Sequence, residues 1–333
     1  MKTKQPPHPE NLEIKPSEAP LNPKDVRSID SFLLDIFQYG DYDFNRALSG
    51  RYGPDLRCIF FTAENEDSLI GAAGCLLGRQ NPAVAIVAPI AVAPQCRGRG
   101  VATNLLASAL DYLKSQQCLV AYLGVRQNDP AVNLYKRAGF ETYAGLIMRK
   151  LITPQEQFEK SFAASPVTIR QLSWGDWPAV MALAATPAQM YTFDLRAQLF
   201  STKYIEPARF LSVFPKMMQT LEQPPGFANV LISEQSRTVI GIAQLRKTAD
   251  TTDGDSELEF FIHDNFLQRA ASFLEDTLRQ AKTPVTCQCL TCDHTKRIII
   301  ESLGGRLVRI LPQSVSLADS TTDVVLYRFD PGR

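Results

Sequence analysis

The clearest pattern of apolar and polar positions in the chain lies between residues 84 and 104. Residues 84–92 form an apolar run, rich in β-branched side chains, that predicts a strand buried on both faces. Residues 97–100 read Arg-Gly-Arg-Gly, and apolar side chains then recur at helical spacing, at Val101, Leu105, Leu106, Ala109, Leu110 and Leu113. The stretch therefore predicts a strand, a glycine-rich turn and the beginning of a helix.

The same periodicities divide the rest of the first half into alternating strands and helices. The predicted strands are 12–16, 57–63, 68–77, 119–125 and 141–149, and the predicted helices besides the one after residue 100 are 22–37 and 130–138. This order predicts one α/β domain over residues 12–150, after a flexible leader at residues 1–11.

The second half repeats that order of elements after a proposed linker at residues 151–166. Strands are predicted at 167–171, 229–234, 238–245, 257–262 and 286–291, with helices at 174–185 and around 273–278 and 298–303. Residues 186–226 are additional, and spaced apolar side chains there predict an amphipathic helix. We therefore predict a duplication, with a second domain at residues 167–333.

Composition narrows the classes of function. The 333 residues contain 45% hydrophobic side chains, with Lys plus Arg and Asp plus Glu at 35 each, so no net charge attracts nucleic acid or an acidic membrane. No run approaches 18 apolar residues, and residues 1–20 do not resemble a secretory signal. Seven cysteines without framework spacing indicate reduced thiols, so we expect a cytoplasmic protein.

The glycine-rich turn predicts an anion site. Glycines allow close approach to the backbone, and the unpaired N–H groups at a helix N-terminus favour phosphate oxygens. The turn is not a dinucleotide fingerprint, because it lacks G-x-G-x-x-G, and it is not a P-loop, because Val101 stands where the lysine would be. It does match the pattern Q/R-x-x-G-x-G/A, with Arg97, Gly100 and Ala102 at the fixed positions.

A second motif follows at residues 128–140, which read N-D-P-A-V-N-L-Y-K-R-A-G-F. They match N-x-x-A-x-x-L-Y-x-K/R-x-G-F. In this order the two motifs resemble motifs A and B of the GNAT superfamily of acyl-CoA N-acyltransferases. The resemblance covers residues 12–150 and implies an α/β (α+β) fold, here two tandem GNAT-like domains, each a mixed central sheet flanked by helices.

The resemblance implies acetyl-CoA as the acyl donor and assigns its binding residues. These are Ile90, Ala91, Val92, Arg97, Gly98, Arg99, Gly100, Val101, Ala102, Thr103 and Asn128. An N–H group of strand 90–92 would face the thioester oxygen, and Asn128 would contact the pantetheine arm and could also cap the next helix. Tyr135 would protonate the departing thiolate, since a tyrosine is protonated at neutral pH.

The general base is not evident. Relatives that acetylate protein N-termini commonly carry a glutamate five residues before the motif B asparagine, and here that position is Leu123. A water chain, Asp41 or Asp43, or an amine that arrives neutral remain open. We expect direct transfer to a primary amine of a small molecule or peptide in a ternary complex; the alternative is a non-catalytic acyl-CoA sensor or scaffold. A homodimer is left open.

The second domain is expected to be degenerate. In the repeat alignment Asn265, Phe266 and Gln268 replace Arg97, Gly98 and Gly100, and Asp264 would repel a pyrophosphate. Cys287, Cys289, Cys292 and His294 have zinc-ligand chemistry, but two of these cysteines share one face of a predicted strand. We therefore expect no metal.

Overall fold

The computed structural model describes residues 13–38, 43–65, 68–126, 128–200, 208–222, 226–247, 255–317 and 320–330. The chain divides into two compact units. The first comprises Met1–Tyr143, Ile147–Gln155 and Trp174–Pro178, and the second comprises Ala144–Leu146, Glu156–Ser173 and Ala179–Arg333.

The first unit is a seven-stranded mixed sheet with helices. In chain order its elements are β1 (Ile14–Glu18), α1 (Pro23–Phe37), α2 (Phe44–Leu48), β2 (Leu56–Asn65), β3 (Ser68–Gly78), β4 (Val84–Val92), α3 (Val101–Ser115), β5 (Val120–Gly124), α4 (Val132–Arg137), β6 (Glu141–Ala144) and β7 (Ile147–Leu151). The strand order is β1-β2-β3-β4-β5-β7-β6, and β4 and β5 are parallel.

The second unit repeats this arrangement. Its elements, beginning with a short helix, are α5 (Gln155–Glu159), β8 (Val167–Gln171), α6 (Trp177–Ala185), β9 (Thr192–Asp194), β10 (Leu199–Phe200), α7 (Ala208–Leu221), β11 (Phe227–Ser233), β12 (Val239–Lys247), β13 (Ser256–Ile262), α8 (Ala270–Leu278), β14 (Val285–Leu290), α9 (His294–Ser302), β15 (Arg306–Leu317) and β16 (Ser320–Phe329). The main sheet has the order β15-β16-β14-β13-β12-β11-β8, with β13 and β14 parallel. The predicted fold class is confirmed.

Helix α3 is held tightly against the first sheet. Its buried side chains are Val101, Leu105, Leu106, Ala109 and Leu113, which recur at helical spacing. Gly71 in β3 makes the close packing possible, because a Cβ there would meet Leu105 Cδ1 and Val101 Cγ1 at 2.8 Å each. The glycine therefore determines how closely the first turn of α3 approaches the sheet.

Strand β4 contains a β-bulge. Ala73 pairs with Ile90 and Cys75 pairs with Val87, so Ala88 and Pro89 together face Gly74 of β3. A Cβ on Gly74 would meet the Ala88 carbonyl oxygen at 2.4 Å. The bulge therefore requires a glycine at this position, and it shifts the alternation of every β4 residue that follows.

Several predicted boundaries differ from the structure. The expected linker 151–166 contains α5 and the 3-10 turn Lys160–Phe162, and the second unit begins within it. Trp174–Pro178, expected in the second domain, belongs to the first unit. The strand predicted at 141–149 is two strands, and the leader 1–11 lies outside the described residues. None of the described helices is long and apolar enough to cross a membrane.

We predict that Gly74→Ala destabilises the chain by about 1–3 kcal/mol, because the added methyl group cannot fit against a backbone carbonyl without moving β4. Urea unfolding followed by circular dichroism measures the change. Ser68→Ala, at the exposed first residue of the same strand, is the matched control and should stay within about 0.5 kcal/mol of the parent. Equal stability of the two variants would contradict the assigned bulge.

Candidate functional site

The site begins where β4 and β5 stop pairing. Their parallel pairing runs from Val84 with Val120 to Ile86 with Tyr122, whereas β4 stays paired with β3 as far as Val92. Among the described residues, β4 thus has no β5 partner after Ile86. The two parallel strands separate and leave a gap beside the last part of β4.

The bulge decides which backbone groups face this gap. Before the bulge, the Ala83 carbonyl accepts a hydrogen bond from Leu119 N at 2.7 Å, so the backbone N–H and C=O groups of odd-numbered residues point towards β5. After the bulge, Ala93 N donates to the Ile70 carbonyl at 2.9 Å, so the backbone groups of odd-numbered residues point towards β3. The N–H groups of Ile90 and Val92 therefore face the gap, while that of Ala91 faces β3.

The glycine-rich turn lies at the end of the gap and leads into α3. A 3-10 turn at Pro94–Cys96 precedes it. Gly98 and Gly100 have φ values of 74° and 79°, which residues with a side chain rarely adopt. A Cβ at Gly98 would meet nothing within 4 Å, so the space beside the turn is open.

The first turn of α3 presents unpaired donors. Gly100 is its N-cap without a side-chain cap, and the first helical bond runs from Asn104 N to the Gly100 carbonyl at 3.0 Å. The N–H groups of Val101, Ala102 and Thr103 consequently have no acceptor within the helix. Together with the open space at Gly98, these donors fit an anion such as a phosphate.

Two arginines adjoin the turn. Arg97 Nε donates to the Val92 carbonyl at 3.2 Å, which fastens the turn to the end of β4. Arg97 and Arg99 are exposed, and neither forms an ion pair with another described residue. Their positive charge therefore remains available beside the donors of α3.

Tyr135 is buried in α4, which begins after the carboxyl end of β5. Its side chain is 9% exposed, and its ring lies edge-on to Phe140 with centroids 6.4 Å apart. Burial, with a smaller contribution from Asp129, raises the pKa of Tyr135 to about 12. The hydroxyl makes no hydrogen bond with another described residue, so it holds a proton at neutral pH and is available to an acceptor.

The expected capping role of Asn128 is wrong. Asn128 is exposed with a φ of 60°, and Asp129 Oδ1 instead accepts from Ala131 N at 2.8 Å in the turn before α4. An aspartate followed by a proline is itself a turn signal, and it was available in the sequence. Contact between Asn128 and a pantetheine arm stays a prediction.

Strands β4 and β5 provide no carboxylate that could act as a general base at the gap. Leu123 is buried in β5, and neither β4 nor β5 contains Asp, Glu or His. Asp43 caps α2, its Oδ1 accepting from Arg46 N at 2.7 Å, and Asp41 lies outside the described residues. Tyr122 is also unsuitable, because complete burial raises its pKa far above the usual range.

The cysteine-rich segment forms part of the core of the second unit. Cys287 and Cys289 are buried in β14, and His294 begins α9. Among the described side chains no group of three or more His, Cys, Asp or Glu could hold a metal ion. Cys96, beside the glycine-rich turn, is buried.

The region around this site is similar to known proteins. The model of the acetyltransferase (GNAT) family matches residues 27–140. An uncharacterized protein of Mycobacterium leprae is 39% identical over 100 residues, which are 29% of this chain and 26% of that relative. The match thus spans about a quarter of the relative's length.

Solved structures resemble about half of the chain. The spermidine N-acetyltransferase of Vibrio cholerae, in complex with CoA and spermine, is 14% identical with a TM-score of 0.39, covering 49% of this chain and 95% of that one. The ribosomal-protein-S5-alanine acetyltransferase of Vibrio fischeri is 11% identical with a TM-score of 0.37, covering 51% and 96%.

Proposed function

We propose that the protein transfers an acetyl group from acetyl-CoA to a primary amine, since the model of the acetyltransferase (GNAT) family matches residues 27–140. The observation that carries the proposal is the gap between β4 and β5 with the glycine-rich turn at its end. Because the strands are parallel, α3 and α4 begin at the same edge of the sheet, where open sheets bind ligands.

The donor would be held by the backbone around α3. The N–H groups from Gly98 to Thr103 suit the pyrophosphate, and Arg97 and Arg99 add positive charge next to it. Ile90, Ala91 and Val92 form the strand edge along which the acyl-bearing arm would lie, and Asn128 would contact that arm. Acetyl-CoA supplies the activated thioester.

Two groups of this chain would assist the transfer itself. The N–H of Ile90 or Val92 faces the gap and can stabilise negative charge that develops on the thioester oxygen. Tyr135 can give its proton to the leaving sulfur, since its raised pKa keeps it protonated. Attack by the neutral amine forms the amide bond while the carbon–sulfur bond breaks. The nitrogen releases one proton to water, the sulfur takes the proton of Tyr135, and water returns a proton to Tyr135, so no enzyme nucleophile is required.

The acceptor is a primary amine of a small molecule or a peptide, bound together with the donor in a ternary complex. This agrees with Cys96, the cysteine nearest the turn in sequence, being buried rather than presented as a carrier. Residence in the cytoplasm stays a prediction from the reduced thiols.

Gly100→Glu should abolish the binding of acetyl-CoA, because it places a carboxylate at the N-terminus of α3 and strains a residue at positive φ. Calorimetric titration of the full chain gives affinity and stoichiometry, and we expect one site in the parent protein. Gly100→Ala introduces the strain without the charge and should weaken binding less, while Asp111→Asn, on the exposed face of α3, should bind normally. A parent protein that does not bind acetyl-CoA would refute the proposal.

Tyr135→Phe should lower kcat by roughly 10²–10⁴-fold, the usual contribution of a general acid, with the affinity for acetyl-CoA nearly unchanged. In the parent enzyme the Tyr135 proton should remain in place as the pH rises from about 8 to about 10, because loss of this acid begins only near its raised pKa of about 12. Steady-state kinetics with a panel of amines measures both effects.

Tyr112→Phe is the control for that experiment. Tyr112 lies on α3 outside the site, and its hydroxyl accepts a hydrogen bond from Arg57 Nη2 of β2, so kcat should be retained. Unchanged kcat in Tyr135→Phe would remove the assigned acid. Binding of acetyl-CoA without turnover of any amine would instead favour the non-catalytic sensor.

A further inference from the structure

The second unit contains the same gap between parallel strands. Strands β13 and β14 pair from Ser256 with Val285 to Leu258 with Cys287, and in the described part of the chain they do not pair beyond that point. Strand β13 continues to Ile262 against β12, and β14 continues to Leu290 against β16. The two strands therefore separate towards their carboxyl ends, as β4 and β5 do.

Residues 189–195 are bound along the β13 side of this gap. Gln189 N donates to the Asp264 carboxylate at 2.9 and 3.2 Å, and Leu195 N donates to Glu259 Oε2 at 3.0 Å. The Phe193 ring lies 5.2 Å from that of Phe261. Backbone and side chain of the segment thus contact β13 and the turn that follows it.

The same segment is bound on the β14 side. Tyr191 N and Thr192 N donate to Asp293 Oδ2 at 2.9 and 3.0 Å, and Lys296 Nζ of α9 donates to the Thr192 carbonyl at 3.2 Å. Leu195 packs in one buried cluster with Leu290 at the end of β14. Residues 189–195 therefore bridge the two strands at the place where they separate.

Buried charges hold the segment in position. Asp194 receives both Nη atoms of Arg246 at 2.8 and 3.2 Å, and Arg246 Nε also bonds Glu257 at 3.1 Å. Lys296 forms an ion pair with Glu259, and all five side chains are buried. Removing one partner of such a network leaves an uncompensated buried charge, so the arrangement resists opening.

The polarity of the second gap is opposite to that of the first. In the first unit the gap and its turn present backbone N–H donors and arginines. In the second unit Asp264, Glu259 and Asp293 present carboxylate oxygens, each of which accepts a backbone N–H of residues 189–195. Carboxylates repel a pyrophosphate but suit a peptide backbone.

We propose that the gap of the second unit is a peptide-binding site occupied by residues 189–195 of its own chain, which take the place that the acyl-bearing arm would have in the first unit. The assignment of that arm rests on the function proposed above. In the second unit residues 189–195 then occupy the place of an acyl-CoA ligand, and they complete the fold of that unit.

Hydrogen exchange of the full chain, followed by mass spectrometry, tests the proposal without any ligand. The amides of Gln189, Tyr191, Thr192 and Leu195 should exchange slowly in the parent protein, because carboxylates accept their N–H groups. Glu259→Gln weakens the ion pair with Lys296 and should speed their exchange by roughly tenfold or more, while β11 in the same sheet keeps its protection. Glu301→Gln, exposed on α9, is the matched control.

Asp264→Ala is the second test variant, for the case that Glu259→Gln also speeds hydrogen exchange in β11. Asp264 is only half-buried and binds the segment at Gln189, so this variant should speed exchange at that end alone. Fast exchange at 189–195 in the parent protein would refute the proposal, as would slow exchange in both variants.

Calorimetry with acetyl-CoA separates this proposal from the function of the first unit. One site per chain in the parent, and still one in the Asp264→Ala variant, supports an internally filled second gap. Two sites in the parent would refute it. If no acetyl-CoA binds, the proposed function fails, whereas the exchange result continues to decide the occupant of the second gap.

Discussion

The early end of pairing between two parallel strands is the constraint on which both units depend. A sheet that opens between neighbouring strands leaves backbone groups without partners, and buried backbone groups must be paired. In the first unit the open edge ends in a glycine-rich turn beside open space. In the second unit residues 189–195 fill the opening. On the two proposals above, one fold would meet the same requirement with an external ligand in the first unit and with its own chain in the second.

The choice between these solutions follows from charge. Glu259, Asp293 and Lys296 are almost fully buried, and each has a hydrogen-bond partner in residues 189–195. Leaving a buried polar group without its hydrogen-bond partner costs about 1–3 kcal/mol, and more when the group is charged, so the occupied state disfavours a competing anion. The first unit places no carboxylate on β4 or β5 and leaves Arg97 and Arg99 exposed. Its polarity suits phosphate.

Local patterns made the elements around the first gap predictable, whereas contacts between distant residues were not predictable. The strand, glycine-rich turn and helix at 84–115 follow from β-branched runs and helical spacing within one short stretch. A proline within a strand, such as Pro89, is typical of interrupted pairing, but the glycine that faces the bulge, Gly74, depends on the register of another strand. The hydrogen bonds that hold residues 189–195 in the second gap join residues about 64 to 104 positions apart in the sequence, such as Leu195 with Glu259 and Thr192 with Lys296. Single-chain periodicity carries no information about such pairs.

The placement of proton-transferring groups restricts the acceptor of the proposed reaction. Tyr135 can supply a proton to the leaving group, but Leu123 and the other residues of β4 and β5 cannot remove one from the amine. An alkylamine with a pKa of about 10 is neutral in only about one molecule per thousand at pH 7. An amine of lower pKa presents a far larger neutral fraction to the gap. Because the described part of the first unit has no strand carboxylate, the proposed reaction would favour weakly basic amines over alkylamines.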